Sequence, residues 1–376
     1  MTSRERVRLA MRHKEPDRIP VDLWGTDSRI HTDLYLRIME KLGKKEFGER
    51  IRPGSTCEYE DYSLADLIGS DFRHINIGRP DSFKSYIDGD GNSIDEWGVG
   101  RKIIGMHPSI TKYPLANAKI EQLEAYKWPD MLDSGRVRGL AERARNWYET
   151  TDCAITATSA TSGTIFEICQ FLYGIEDFLV CLYDDPDFAA ALIEKVTDLI
   201  IELNVLYVRS VAPYIEWIEF ASDFGTQSGP FISPDCFREF FLRPHKRLFD
   251  AVKEAAPGVK IFLHSCGGVR PLIPMFIESG VDILSSIQPL AAGMDSFELK
   301  AEFGGSLVFH GGIDIQNAAP GTLDRLHEEC KTRIKAFGQG GGYIFSPSNH
   351  FIEDVPVENF FKMYEYAKEL GKYPLS

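Results

Sequence analysis

The sequence predicts an α/β protein folded as a single (β/α)8 barrel of the TIM type. Short, nearly continuous apolar segments recur along the chain, as is typical of parallel strands that are covered on both faces. Helical patterns lie between most of these segments, and strands that alternate with helices form a parallel sheet. Because eight candidate strands are present, we expect residues 1–376 to form one closed barrel domain. An open doubly wound sheet is the weaker alternative, since no Gly-x-Gly-x-x-Gly sequence follows the first strand.

The elements of this barrel can be assigned in chain order. An N-terminal helix begins at Ser3 and ends near His13, since Pro16 cannot continue it. The predicted strands are Ile19–Trp24, Arg73–Ile77, Ala154–Ala157, Trp217–Ala221, Lys260–Leu263, Ile283–Ile287, Ser306–Phe309 and Tyr343–Ser346. The predicted helices between them include Ile165–Leu172, Asp187–Arg209, Pro234–Glu254, Val269–Glu278, Leu323–Phe337 and Val357–Leu370. The segments Phe83–Ile87 and Ser93–Gly98 flank a glycine-containing turn and predict a β-hairpin outside the barrel.

Composition narrows the class of protein. The chain has 376 residues, of which 43% are hydrophobic, and this is enough for a large core. A net charge of −14 without basic blocks argues against a nucleic acid or an anionic membrane as partner. No apolar run is long enough for a transmembrane helix, and the N-terminus lacks the apolar segment of a signal peptide. The seven scattered cysteines are typical of a reducing compartment, so we expect a cytoplasmic protein.

The segment His264–Gly268, with the sequence His-Ser-Cys-Gly-Gly, contains the strongest chemical signal. It follows an apolar run that predicts a buried strand. Residues two apart on a strand point the same way, so the imidazole of His264 and the thiol of Cys266 are expected to lie side by side. Nitrogen and sulfur donors in this pairing suit zinc, although a metal site needs at least one more ligand from elsewhere in the chain.

Other polar residues collect at the predicted strand ends, where the active site of a (β/α)8 barrel lies. These candidates are Asp22, Trp24, Thr158–Gly163, Asp223, Gln288, His310, Asp314, Asn349 and His350. Glu167 lies one turn inside the helix that follows this threonine- and serine-rich segment. The bodies of the same strands are apolar, which separates the expected core from the expected site.

Several candidates have two interpretations from residue type alone. Asp223 either acts as a pocket carboxylate in acid–base chemistry or caps a turn. His310 and Asp314 bracket a Gly-Gly turn, and they either take part in catalysis or shape that turn. Glu167 either lines a pocket or complements the dipole of its helix. Trp24 either lines a pocket for an aromatic or quaternary ammonium group or packs in the core.

Longer stretches of the chain match a known family. They are Arg4–Val7, His13–Asp22, Asp95–Gly98, Asp223–Gln227, Ile232–Pro234, Phe237–Phe240, His310–Asp314 and Pro347–Asn359. In these stretches, which span nearly the whole chain, the sequence resembles the uroporphyrinogen decarboxylase superfamily. The resemblance implies a barrel enzyme from one of two branches.

The two branches differ in the residues they use. The decarboxylase branch binds a tetrapyrrole polycarboxylate without metal, through arginines in a Met-Arg-Gln-Ala-Gly-Arg stretch. The corresponding region here, Val21–Arg29, lacks that arginine pattern, which argues against porphyrinogen decarboxylation. The cobamide-dependent methyltransferases carry His-x-Cys after a central strand, which His264 and Cys266 match, and a third ligand after the last strand. Asn349 occupies that third position, and its neighbour His350 could complete the site.

The resemblance therefore implies a zinc-dependent methyltransferase that moves a methyl group between a small molecule and a corrinoid protein. Together with the candidates at the strand ends, this gives His264, Cys266 and His350 as the expected zinc ligands. Asp223, His310 and Glu167 are the candidates for catalysis, and the candidates for substrate binding are Asp22, Trp24, Gln227, Asp314 and Asn349. The chain contains no Asp-x-His-x-x-Gly motif, so the corrinoid is expected on a separate partner protein. The superfamily also suggests a homodimer.

Two other functions remain open at this point. One is a metal-free decarboxylase that acts on a polycarboxylic or tetrapyrrole substrate, in which Asp223 or a neighbouring acid stabilises a protonated intermediate. The other is a non-catalytic barrel that binds a small ligand or a corrinoid. Bound zinc would distinguish the methyltransferase from the metal-free decarboxylase. Turnover of any methyl donor would exclude the non-catalytic barrel.

Overall fold

Seven parallel strands form the central sheet of the protein. The structure, a computed structural model, describes residues 1–52, 55–104 and 107–375, with backbone only for His107 and Pro108. The strands are Phe72–Ile75, Ala154–Ala157, Ile215–Ala221, Lys260–His264, Ile283–Ser285, Val308–Ile313 and Tyr343–Pro347. They lie side by side in chain order, and each pairs in parallel with the next. This is the strand order that the predicted barrel requires, and the predicted fold class is confirmed.

The segment around Val21 takes the eighth place and closes the barrel. Val21 forms a parallel bridge with Phe345, and the amide of Asp22 donates to the Phe345 carbonyl at 2.9 Å. On the other side, the amide of Asp71 donates to the Val21 carbonyl at 2.9 Å. The predicted strand Ile19–Trp24 is therefore reduced to isolated bridges. Proline at position 20 has no N–H to donate, and Trp24 adopts a φ of 82°, outside the β region.

Helices surround the sheet. They are Ser3–Met11, Thr32–Lys41, Tyr62–Ile68, Ile120–Ala125, Leu140–Thr150, Ile165–Tyr173, Ile175–Asp184, Pro186–Val211, Pro234–Phe240, Leu242–Ala255, Ile273–Ser279, Ser296–Phe303, Leu323–Phe337 and Val357–Leu370, with 3-10 turns at Ser134–Val137 and Arg270–Leu272. The predicted helix over residues 234–254 is wrong as one unit. It is interrupted at Phe241, because Pro244 has no N–H to donate to the Phe240 carbonyl and lies in the first turn of the helix Leu242–Ala255. Within the described ranges, none of these helices has the length and apolarity needed to cross a membrane.

The predicted hairpin belongs to a larger excursion from the barrel. Its strands, Tyr86–Ile87 and Ser93–Ile94, are shorter than expected. They continue into Gly100–Ile104 and His107–Lys112, which complete a four-stranded antiparallel sheet that the sequence did not predict. Two further antiparallel pairs are short: Glu49–Arg50 with Tyr59–Glu60, and Gly225–Thr226 with Gly229–Pro230.

Side chains inside the barrel form two layers. The lower layer is an apolar cluster of one residue from each strand, covered by Val7 and Met11 of the N-terminal helix: Phe72, Ala154, Trp217, Phe262, Ile283, Val308 and Ile344. The upper layer lies two residues further along each strand and is polar and buried: His74, Thr156, Glu219, His264, Ser285, His310 and Ser346. Since residues two apart share a strand face, both layers point into the barrel, separated by about 6–7 Å along each strand.

Candidate active site

A cavity of about 820 Å³ opens at the carboxyl ends of the strands. Its volume lies in the range that holds small organic ligands. Many of the residues that line this cavity are polar or charged. They include Thr26, Arg29, Arg52, Asn76, Thr158–Ser162, Glu167, Asp223, His264, Asn349 and His350. Most of them follow strand ends, as the barrel fold predicts for an active site.

Three side chains with metal-binding atoms meet beside this cavity. One ligand atom each from Asp223, His264 and Cys266 lies within 4.8 Å of the others. His264 ends its strand, Cys266 follows two residues later, and Asp223 comes just after the neighbouring strand Ile215–Ala221. Among the described residues this is the group of histidine, cysteine and carboxylate side chains with a spacing that could hold a metal ion.

Tight backbone packing sets the position of this group. Gly267 adopts a φ of 81°, which favours glycine, and a Cβ there would lie 2.5 Å from the carbonyl carbon of Gly225. The two loops that carry Asp223 and Cys266 therefore pack backbone against backbone. The Cys266 amide also donates to Asp223 Oδ1 at 2.8 Å, which joins the loops directly.

Oxygen, nitrogen and sulfur donors thus converge. The Cys266 Sγ lies 3.2 Å from His264 Nε2, and Asp223 Oδ1 lies 3.4 Å from the same nitrogen. The Asn349 amide donates to the Cys266 sulfur at 3.2 Å. Although burial disfavours the charged imidazole, Cys266, Asp27 and Asp223 together hold the pKa of His264 well above its usual value. Concentrated negative character around one nitrogen is the electrostatic environment of a cation site.

His350, the predicted third ligand, has a different contact. Its Nδ1 accepts a hydrogen bond from the backbone amide of Arg29 at 3.2 Å. Burial lowers the pKa of His350 to about 3, with further contributions from Arg52 and Arg29, so its imidazole is neutral. The three-residue group contains Asp223 and does not include His350, which lies at the wall of the cavity.

Glu167 lies at the start of the helix Ile165–Tyr173 and also reaches this site. Its carboxylate accepts hydrogen bonds from the Asp223 amide, the Ser222 hydroxyl at 3.2 Å and the Thr164 amide at 3.2 Å. Burial, together with the nearby charge of Asp223, raises the pKa of Glu167 to about 7. Glu167 therefore combines the capping contact expected of its position with a contact to a candidate metal ligand.

Beneath the cavity, buried carboxylates and imidazoles pair with each other. The Asp22 carboxylate contacts His74 Nε2 at 2.8 Å and His310 Nε2 at 2.9 Å. Burial alone would raise the pKa of Asp22, but the two imidazoles outweigh it and hold that pKa well below its usual value. The pKa of His310 is raised, because Asp27 and Asp22 outweigh the effect of its burial. Asp22 and His310, predicted in substrate binding and catalysis, thus form the floor of the site and are almost inaccessible to solvent.

The remaining predicted residues lie outside the cavity. Trp24 is fully buried, donates its indole N–H to the Asp61 carbonyl at 3.0 Å and packs on Tyr35. Asp314 accepts three backbone amides of the following turn, from residues 316 to 318. The Gln227 amide contacts the Gln288 side chain at 3.2 Å. Trp24 is therefore a core residue, and Asp314 shapes the turn that follows it.

Some residues at the site were not identified from the sequence. Arg29 and Asn76 line the cavity and contact each other at 3.0 Å, and Asp27 contacts His264 Nδ1 at 3.2 Å. Loop residues such as these carry no periodic signal. His74 and Glu219 could have been found, since each stands two residues after a large aromatic side chain inside a buried strand.

Comparison with known proteins identifies the family. The sequence pattern of the family described as uroporphyrinogen decarboxylase (URO-D) matches residues 98–370. The chain belongs to the URO-D family. A uroporphyrinogen decarboxylase of Shewanella piezotolerans is 26% identical over 51% of this chain and 51% of its own length. One from Hydrogenovibrio crunogenus is 27% identical over 50% of this chain and 51% of its own length, so the chain spans about half the length of these curated relatives.

A solved structure is similar in fold to this URO-D family chain over nearly the whole length of both chains. It is a methyltransferase from Methanosarcina mazei, with a TM-score of 0.70 over 98% of this chain and 99% of the other. The two sequences are 18% identical, and the likeness shows the shared fold. The family match over residues 98–370 confirms the predicted resemblance to the superfamily.

Proposed function

We propose that this URO-D family protein is a zinc-dependent methyltransferase that moves a methyl group between a small molecule and a corrinoid carried by a separate protein. The observation that carries the proposal is the convergence of Asp223, His264 and Cys266 within 4.8 Å beside a cavity. Nitrogen, sulfur and carboxylate donors suit zinc, and three protein ligands leave a fourth position for substrate. The full-length likeness in fold to a methyltransferase supports the same class.

The chain's own residues prepare such a site. When bound, zinc would act as a Lewis acid on the heteroatom that carries the methyl group. The Asn349 amide holds the Cys266 sulfur in place by donating to it, and Glu167 holds the Asp223 loop through a backbone amide. In transfer to the corrinoid, the bond between the methyl carbon and the heteroatom would break and the heteroatom would keep its electron pair. The reduced corrinoid of the partner protein would supply the electron pair of the new bond to the methyl group.

The cavity limits the substrate to a small molecule. Its volume of about 820 Å³ accommodates a methoxylated aromatic, a methylamine, a betaine or a thioether. Hydroxyl-bearing side chains over residues 158–162 line the cavity together with Arg29 and Arg52. The methyl donor would lie among these residues, beside the three candidate ligands.

Metal content tests the proposal directly. Protein purified from zinc-supplemented cells without chelator should contain about one zinc per chain, and Cys266→Ser should lose it. Cys236→Ser is the control, because Cys236 is also a free cysteine but is buried on the helix Pro234–Phe240, outside the three-residue group. The absence of metal from the wild type, or equal metal in both cysteine variants, would contradict the proposal.

Two further variants identify the third ligand. If Asp223 binds zinc, Asp223→Ala should lose metal while His350→Ala retains it. The opposite pattern would assign the role to His350. Both outcomes are read by elemental analysis of the same preparations, together with circular dichroism to confirm that each variant is folded.

Methyl transfer itself can be measured with a free corrinoid in place of the partner protein. Reduced cobalamin is incubated anaerobically with each class of donor, and methylcobalamin formation is followed by its absorbance. Turnover with any donor would exclude the non-catalytic barrel. Turnover that survives complete removal of zinc would contradict the metal-dependent mechanism.

A metal-free decarboxylase is the second candidate, and one feature of the cavity favours it. Arg29 and Arg52 both line the cavity, where guanidinium groups can hold substrate carboxylates. The curated relatives are named uroporphyrinogen decarboxylases. This function predicts carbon dioxide release from uroporphyrinogen by metal-free protein, whereas the methyltransferase predicts none.

A further inference from the structure

We infer that Asp27 positions the imidazole of His264 for metal binding, by accepting a hydrogen bond from its Nδ1 so that Nε2 faces Cys266 and Asp223. The inference rests on the metal site proposed above and assigns a role to a residue from a different loop. Asp27 touches neither the cavity nor the other two ligands in the described contacts, so it acts through His264.

The contact lies between two buried side chains. Asp27 Oδ2 is 3.2 Å from His264 Nδ1, and Asp27 is only 1% exposed. The Ser285 hydroxyl donates to the same carboxylate oxygen, and Ser285 pairs with His264 across neighbouring strands. One carboxylate thus ties together the ends of two adjacent strands, and the His264 ring cannot rotate without breaking that tie.

The loop that carries Asp27 is itself held on both sides. The Thr26 amide donates to Glu219 Oε2 at 2.8 Å, and Glu219 is a buried side chain of the upper barrel layer. The Gly25 amide donates to the Ser28 hydroxyl at 2.8 Å. These contacts fix Asp27 in the absence of metal. The folded barrel therefore orients the imidazole before a metal ion binds.

The two oxygens of the Asp27 carboxylate have different surroundings, since Oδ2 makes the contacts to His264 and Ser285 and Oδ1 makes none of them. Its Oδ1 is buried and has no hydrogen-bond partner among the described residues. A carboxylate with an unpaired oxygen is an unfavourable group for a barrel interior unless its charge is used. The Asp27 charge lies 3.2 Å from His264 Nδ1 and 3.9 Å from His310 Nδ1, so His264 is the nearer imidazole and the one within hydrogen-bond distance. At His264 Nδ1, a carboxylate fixes the tautomer and increases the donor strength of Nε2.

Cobalt binding tests this role without relying on enzyme activity. Metal-free wild type is titrated with Co²⁺, and thiolate-to-cobalt absorbance in the near ultraviolet reports binding at Cys266. Asp27→Asn should weaken Co²⁺ binding by about 10- to 100-fold, the usual effect of removing such a partner. Asp71→Asn should bind like the wild type. Asp71 is an equally buried carboxylate with cationic partners, Arg6 and Arg18, at the opposite end of the barrel.

The outcomes separate this inference from the proposed function. Failure of the wild type to bind Co²⁺ would overturn both. Normal binding by the wild type and by Asp27→Asn would overturn the role of Asp27 alone. If Asp27→Asn does not fold, Ser285→Ala decides, since it removes the hydroxyl that steadies Asp27 without changing a charge. A weaker affinity in Ser285→Ala supports the role of Asp27, and an unchanged affinity contradicts it.

Discussion

The two layers of side chains inside the barrel differ in chemistry, although the same seven strands carry both. The lower layer is entirely apolar and packs against the N-terminal helix. The upper layer holds three imidazoles, one carboxylate and three hydroxyl groups, all buried. A shift of two residues along each strand is enough to change a hydrophobic core into the floor of a candidate active site.

The difference shows how the barrel separates stability from function. Apolar side chains in the lower layer stabilise the fold by burial and close packing, and they pack against lower-layer side chains of the other strands. Polar groups in the upper layer are buried at a cost, which mutual pairing among Asp22, His74 and His310 offsets. The upper layer therefore holds side chains in position beneath the cavity, while the lower layer contributes to the stability of the fold.

A lower-layer substitution should give the largest change in stability. Phe72 is fully buried and packs on Trp217 with ring centroids 4.9 Å apart. Phe72→Ala is expected to reduce the free energy of unfolding by about 3–5 kcal/mol, because it removes apolar contacts and leaves a cavity. Urea unfolding measures this change.

The same variant should keep its metal site. Folded Phe72→Ala should contain as much zinc as the wild type. Cys266→Ser should instead lose its zinc while its free energy of unfolding changes little. A loss of zinc in Phe72→Ala would mean that the two layers are not separable.

The upper layer should make stability sensitive to alkaline pH. Although burial opposes it, pairing with Asp22 and Glu219 raises the pKa of His74 from 6.5 to about 10. The stabilisation is complete below pH 6.5, where folded and unfolded states both bind the proton, and it is lost as pH rises towards 10. Over this window the free energy of unfolding should fall by up to about 1.4 kcal/mol per pH unit through His74 alone.

His74→Gln tests this assignment, because glutamine keeps hydrogen-bonding capacity without titrating. Urea unfolding at pH 7 and pH 9 should show a steeper loss for the wild type than for the variant. Parallel losses in the two proteins would show that His74 is not charged in the folded state.

The smallest effect is expected at Ser346, an upper-layer hydroxyl with no hydrogen-bond partner among the described residues. Ser346→Ala removes a buried group without breaking a contact, so the free energy of unfolding should be unchanged or rise by up to about 1 kcal/mol. Thermal unfolding detects this shift. A loss of more than about 1 kcal/mol would indicate that the hydroxyl is paired in solution.

Much of the fold was predictable because local patterns carry it. Leu323–Phe337 and Val357–Leu370 match their predicted bounds, since their apolar periodicity and end signals lie within each helix. The strand Ala154–Ala157 matches as well. Two antiparallel strands of the excursion were missed, because an exposed strand pair lacks a strong apolar pattern.

The candidate site was predictable only in part. His264 and Cys266 stand two apart at a strand end, and that local spacing alone places both side chains together. The position of Asp223 beside these two residues depends on which strands pair in the sheet, and local spacing does not determine that pairing. The positions of His350 and Asn349 around them depend on how the last loop crosses the mouth of the barrel.

The amino-acid pattern alone therefore determined the alternation of strands and helices, the polar strand ends and the His-x-Cys pair. The tertiary structure decided which distant groups meet: Asp27 with His264, Asp22 with two imidazoles, and Asp223 with Cys266. The physical reason is the range of the interactions involved. Hydrophobic periodicity acts within one element, whereas these polar contacts join residues up to 288 positions apart and exist only once the barrel closes.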